Sequence, residues 1–173
     1  MIVIAIDVGL QGGLAIARYD AGSPDSGELL HARHMPVRPT LRRGELAVLP
    51  CVRTIGEYIR EHGATHAVVE AQSVRPKQGI ASSGLLMRQF GQCEATTLTL
   101  GLPTQLVAPP VWKRAMGLIR GDKEASRQRA IALFPHIRHL MGRKQDHGPA
   151  EAALIAWWKV SHAAANDEPE VLV

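Results

Sequence analysis

The side chains that could do chemistry in this sequence are acids at the ends of apolar runs. Asp7 closes the run IVIAID and sits directly before VGLQGG, a turn holding three glycines. Glu70 closes a second run, THAVVE. Glu151 falls in the first turns of the long apolar pattern PAEAALIAWWKVSHAAA, with Asp146 and His147 just ahead of it. A buried carboxylate without a partner is costly, so an acid ending a core strand needs backbone amides or a cation beside it. Several carboxylates held close repel one another unless positive charge sits between them. Hard divalent ions, ligated by oxygens and keeping some water, suit that place. Two such ions about 4 Å apart can activate a water and stabilise a leaving oxygen in phosphodiester cleavage. Glycines next to Asp7 would let backbone or a phosphate approach it closely.

For these acids to meet, the elements carrying them must share one edge. Residues 2–7 read as a central strand, and Gly13–Arg18 as its hairpin return. AGSPDSG (21–27) is a turn, ELLHARHMP (28–36) a third strand and RPTLRRGE (38–45) a polar loop. Pro50 opens a helix with Val52, Ile55 and Ile59 on one face and Gly63 closing it. THAVVE (65–70) is a short buried strand, AQSVRPKQGIASSG (71–84) a long polar loop, and a helix runs from about Ser83 to Leu100. TQLVA (104–108) is a fifth strand, broken by Pro109–Pro110, and VWKRAMGL a short helix. Asp122 caps the next helix. PHIRHLMGRKQDHG is a linker, and Pro149 starts the last helix. The order β-β-β-α-β-α-β-α-α predicts an α/β fold: a mixed five-stranded sheet flanked by helices on both faces. With the first and fourth strands parallel neighbours at its centre, Asp7 and Glu70 stand side by side.

The bulk properties agree with one domain over 1–165 and a flexible tail over 166–173. The chain has 173 residues, 46% hydrophobic and 21% charged, enough for a sizeable core. No apolar run approaches a membrane span, and no signal-peptide pattern is present. Cys51 and Cys93 lack metal-ligand spacing and read as free thiols of a reducing cytoplasm. A net charge of +4 and a pI near 9.4 lean towards a polyanionic partner. The basic residues cluster: Arg38, Arg42 and Arg43; Arg75 and Lys77; Lys113, Arg114, Arg120, Lys123, Arg127 and Arg129. Loops that follow strands gather on one side of an open α/β sheet, which makes Arg75, Lys77, Lys113, Arg114 and Lys123 candidate DNA contacts.

The segments AIDVGLQGGLAI, VVEAQSVRPKQG, VAPPVWKRAMGL, DKEASRQRAIALFP and DHGPAEAALIAWW resemble, in order, the RuvC-like Holliday junction resolvases of the RNase H-like superfamily. Phage-type and short bacterial members are the nearest in kind, and the likeness runs from about residue 2 to 160. It implies an RNase H-like fold and metal-dependent cutting of four-way DNA junctions, leaving 5′-phosphate and 3′-hydroxyl ends. It also implies Mg²⁺ as cofactor, two ions per site, with Mn²⁺ as substitute. Asp7 and Glu70 match the family's first two metal-binding acids. Glu151 matches the acid near the start of the last helix, where Asp is commoner. Arg75 and Lys77 lie in the loop that in this family approaches DNA.

The remaining family position falls at Asp146 or His147. His147 is four residues before Glu151 and would share its face in a continuous helix; Asp146, five before, would lie about 140° away. Gly148–Pro149 argues for a helix starting after both. Mg²⁺ and Mn²⁺ prefer oxygen ligands, so Asp146 is the expected fourth ligand and His147 an auxiliary acid, base or phosphate contact. Symmetric cuts across a junction need two active sites related by a two-fold axis, hence a homodimer. The helix carrying Leu85, Leu86, Phe90, Cys93 and Leu98 offers apolar surface for it.

Other residues read as structural. Glu94 belongs to a helix face. His31, His34, His62, His66, His136, His139 and His162 have surface or core roles, and Trp112, Trp157 and Trp158 pack rather than stack on bases. The glycine turn lacks the Lys-Ser/Thr of a Walker loop. Three alternatives stand beside junction resolution. A nuclease of the same fold could act on RNA–DNA hybrid or general DNA. DVGLQGG also resembles the phosphate hairpin of actin-like kinases and ATPases, but that fold needs a second such hairpin, which the sequence lacks. A catalytically dead DNA-binding module is opposed by the retained acids.

Overall fold

The computed structural model describes residues 1–20, 27–42, 45–74, 78–119 and 121–163. Its main sheet has five strands: β1 (Ile2–Asp7), β2 (Gly13–Tyr19), β3 (Gly27–His34), β6 (His66–Glu70) and β7 (Thr104–Val107), ordered β3-β2-β1-β6-β7. The first three form an antiparallel meander, while β6 joins β1, and β7 joins β6, in parallel. Parallel pairing requires a crossover, and α2 (Ile80–Thr99) supplies it between β6 and β7. The mixed five-stranded α/β sheet expected from the sequence is therefore the observed one, with β1 and β6 adjacent at its centre.

The two faces of the sheet follow the period-2 alternation of its strands. Ile4, Ile6, Leu14, Ile16, Ala67 and Val69 point to one face, packed with Ile55, Tyr58 and Ile59 of α1 (Val52–Glu61) and Cys93 of α2. Val3, Ala5, Ala15, Ala17, Leu29, Ala32 and Val68 point to the other. That second face is covered by α3 (Pro109–Ala115), α4 (Lys123–Leu133), a 3₁₀ helix (Pro135–Leu140) and α5 (His147–Ala163).

Three expectations change. The segment 38–45 is not a loop: β4 (Val37–Arg42) and β5 (Glu45–Pro50) pair antiparallel as a separate two-stranded sheet. Each strand of such a ribbon is an edge, where Pro39 costs no ladder hydrogen bond on its open side. Pro50 accordingly ends β5, and α1 begins at Val52 with Cys51 at its N-cap. The linker before the last helix contains the 3₁₀ turn, and α5 starts at His147 rather than Pro149. Cys93 is buried, Cys51 half-buried, and both are free. No helix among the described residues is long and apolar enough to cross a membrane. The tail 166–173 lies outside the described residues.

Candidate active site

Alternation decides where the strand acids point. Asp7 follows Val3 and Ala5 on the α5 face, and Glu70 follows Val68 on the same face. The parallel register sets Ile6 against Val69, which leaves Asp7 and Glu70 as neighbours where the two strands end. Glu151 comes from the first turns of α5, which lies across β1, β2 and β3.

Small residues let that helix come close. Ala5, Ala15, Ala17 and Ala32 of the sheet meet a helix carrying Ala150, Ala152, Ala153 and Ala156, all of them buried. At the helix start the backbones touch. A Cβ on Gly148 would fall 2.1 Å from the Gln11 carbonyl oxygen, and one on Gly13 would fall 2.6 Å from the Gly148 carbonyl oxygen. The glycine turn after Asp7 thus makes room for the helix that carries Glu151. The glycines act through protein backbone here, where the sequence also allowed a phosphate.

Asp7, Glu70 and Glu151 are 7–8% exposed. Burial pushes the Asp7 carboxyl well above its ordinary pKa, and the charges of Glu70 and Glu151 and a hydrogen bond shared with Glu70 push it further; Lys123 opposes them. Burial raises Glu70 as well, with Glu151 adding to it against hydrogen bonds from Trp112 and Gln72. Glu70 Oε1 accepts from Trp112 Nε1 at 2.9 Å and Oε2 from Gln72 Nε2 at 2.9 Å. Glu151 Oε1 accepts from Ser126 Oγ at 3.0 Å and faces Lys113 Nζ at 3.2 Å.

Among the described residues, no three His, Cys, Asp or Glu side chains are already gathered around one point as a ligand set. The chemistry of the three acids still suits a hard divalent cation. They are buried carboxylates offering oxygen alone, and at Asp7 the charges of Glu70 and Glu151 add to burial in disfavouring the ionised form, a cost that a cation would relieve.

Asp146 does not join them. Its buried carboxylate accepts from the Arg143 amide at 2.7 Å, from Arg143 Nη2 at 2.9 Å and from His34 Nε2 at 3.0 Å. Burial alone would raise this carboxyl, but the Arg143 and His34 hydrogen bonds outweigh it and hold it below the usual aspartate range. The expected fourth acid is thus neutralised within the protein. His147 takes the opposite course. With α5 beginning at His147, it and Glu151 lie four apart on one helix face. Its Nε2 lies 3.0 Å from Lys123 Nζ, within hydrogen-bond distance.

Of the expected DNA contacts, Arg75 and Lys77 lie outside the described residues. Lys113 is turned inward onto Glu151, and its ammonium sits 5.1 Å from the Trp112 ring centroid. Arg114 is exposed, and the Lys123 charge acts on Asp7. Lys123 also lines a cleft of about 560 Å³, with Gln11, Glu124, Arg143, Lys144 and His147; the three acids are not in its lining. Sequence reasoning passed over Trp112, Gln72, Ser126, Arg143 and His34. Their roles depend on which polar atom each finds after folding, and no spacing rule encodes that.

No protein-family model matches this sequence, and no curated protein matches it. Solved structures do. The chain superposes on Thermus thermophilus RuvC with a TM-score of 0.57 at 19% identity, covering 95% of this chain and 96% of that one. T. thermophilus RuvC in complex with Holliday junction substrate gives 0.61 at 16% identity, covering 96% and 97%. The fowlpox virus Holliday junction resolvase gives 0.61 at 13% identity, covering 95% and 99%. The fold is thus that of the RuvC-like, RNase H-type resolvases, as the sequence resemblance implied.

Proposed function

We propose that this protein is a metal-dependent, structure-selective endodeoxyribonuclease that resolves four-way DNA junctions, leaving 5′-phosphate and 3′-hydroxyl ends. The observation that carries this reading is the convergence of Asp7, Glu70 and Glu151, from three separate elements, at one sheet edge. The solved structures of like fold add to it, since one of them is bound to a Holliday junction.

Asp7, Glu70 and Glu151 would hold Mg²⁺, with Mn²⁺ as substitute. Bound there, the ions would activate water and neutralise charge building on the phosphate. The chain's own groups do the rest. Lys123 sits at the rim, where it can compensate a backbone phosphate entering the cleft, and the exposed Arg114 can contact the flanking strand. His147, beside Lys123, is placed to exchange a proton or to contact the phosphate. Arg75 and Lys77 remain proposed DNA contacts.

A homodimer would supply two sites for symmetric cuts. In α2, Cys93 is buried and Leu85, Leu86 and Phe90 are half-buried, so Leu98 alone of the expected set is exposed. It shares a stripe with exposed Ile80 and Met87: their spacings of seven and eleven residues return to within about 20° of one line. This stripe is the proposed contact with a second copy.

The deciding assay uses labelled four-way junction, duplex and RNA–DNA hybrid, each with Mg²⁺ or chelator. Mg²⁺-dependent paired nicks confined to the junction are expected. Cleavage of the hybrid alone would replace the proposed substrate. Light scattering at micromolar concentration tests the dimer, and a monomer that still nicks symmetrically would remove it.

A further inference from the structure

We infer that Trp112 is a positioning residue whose indole N–H aims the Glu70 carboxylate at the bound cation. The inference rests on the metal-site reading above and adds to it a residue from outside the acidic set.

The indole N–H is a donor only, and a buried donor must find an acceptor. Trp112 is completely buried, and its Nε1 gives its hydrogen to Glu70 Oε1 at 2.9 Å. The bond spans 42 residues of sequence, so it ties α3 to the end of β6 rather than serving a local turn. Gln72 Nε2 takes the other oxygen at 2.9 Å. Two donors on two different oxygens fix the plane of a carboxylate, and each oxygen keeps a lone pair for a further partner. A glutamate with one donor would still rotate about its last torsion, which is broad by nature.

The neighbouring residue supplies the contrast. Lys113 reaches Glu151 on α5, so one turn of α3 braces two of the three acids from the outside. Packing alone would not need the nitrogen: any large aromatic could fill this place in the core cluster. The N–H is there for Glu70. Groups that orient metal ligands in this way are commonly worth 10–100-fold in metal affinity or activity when lost.

The experiment separates the nitrogen from the ring. Trp112 is replaced site-specifically by 3-benzothienylalanine, in which sulfur stands where the N–H was, and W112F serves as the second variant. Mn²⁺ affinity of the full chain is read by electron paramagnetic resonance without DNA. Junction affinity is read in chelator, and single-turnover cleavage in Mg²⁺. Mn²⁺ affinity and cleavage rate should each fall about tenfold or more, with junction affinity unchanged within about twofold. An analogue protein that matches wild type in both metal affinity and rate would overturn the inference.

A measurement on the unaltered protein guards against variants that fail to fold. Of the three indole ¹⁵N–H resonances, that of Trp112 should shift on Mg²⁺ addition while those of Trp157 and Trp158 stay. A Trp112 resonance indifferent to saturating metal would overturn the inference as surely. If wild type itself bound no Mn²⁺, the metal-site reading would fall first. If wild type bound and cleaved while the analogue matched it, only the role of Trp112 would fall.

Discussion

Two buried aspartates in this protein are handled in opposite ways. Asp146, 2% exposed, is closed off by an arginine side chain, a backbone amide and a histidine. Asp7, 7% exposed, faces the charges of two further acids, Glu70 and Glu151. Burial raises both carboxyls; donors overcome it at Asp146, and like charges add to it at Asp7. A buried acid that the protein neutralises is part of the scaffold. One that it leaves among other acids is what the proposed metal site would need. Sequence alone could not separate the two, since both residues sit beside structured elements in acid-bearing motifs.

The sharpest way to break the comparison is to remove the charge on Asp7. D7N should abolish Mg²⁺-dependent junction cleavage while leaving junction binding intact, since phosphate contacts come from basic side chains. In chelator its melting temperature should rise, because the like-charge repulsion is gone. Mg²⁺ should stabilise wild type, by about 2.7 kcal/mol at 100 times the dissociation constant, and leave D7N nearly unmoved. A D7N protein that still cuts in Mg²⁺ would end the distinction.

Next in size is G148A. Its new methyl would meet the Gln11 and Gly12 carbonyls at 2.1 Å and 2.4 Å. The helix start must then back away from the turn, carrying Glu151 with it. Overpacking of this kind costs about 1–3 kcal/mol, to be read by urea unfolding, and cleavage should fall with it. Stability lost with full activity would show that Glu151 does not depend on this contact.

The same method applied to D146A should show a stability loss of about 1–3 kcal/mol from the donors left without their acceptor. Cleavage should persist. The pH dependence has a definite sign. The folded pKa of Asp146 lies below the unfolded value of about 3.9, so its contribution is present above that pH. It is lost as pH falls through the folded pKa. The gap between wild type and variant should therefore be widest at neutral pH and close in acid. A dead D146A enzyme of unchanged stability would return Asp146 to the metal site.

The smallest effect concerns the rim. K123A should flatten the salt dependence of junction binding by about 0.9 in log–log slope for the one phosphate contact removed. An unchanged slope in a titration from low to moderate salt would place the DNA elsewhere.

The sheet and two of its acids were legible because apolar β-branched runs ending on a carboxylate leave few other readings. IVIAID and THAVVE became the central parallel pair. The ribbon at 37–50 was not legible, since its middle is arginine-rich and carries a proline, the composition of a loop. The start of α5 was misplaced by one physical fact. Gly148–Pro149 looks like a helix boundary, yet here glycine is demanded by a carbonyl oxygen 2.1 Å from where its Cβ would be. Proline inside the first turn has no lost hydrogen bond to regret. With α5 starting there, His147 shares a helix face with Glu151 and meets Lys123, while Asp146, just ahead of it, meets Arg143. The donors on Glu70 and Glu151 were invisible for a different reason. Trp112 reads as a packing residue and Ser126 has no reading at all, and both are buried residues that also carry one polar atom each.

The close docking of α5 has a consequence for the life of the chain. The acids lie at positions 7, 70 and 151, and the third sits on the last described element, against strands made at the beginning. During synthesis the sheet emerges before α5, so the part of its face that α5 covers stays open until that helix follows. On the function proposed above, a chain lacking α5 would hold two of the three acids and would not cut DNA: the helix that closes the fold would also arm the site.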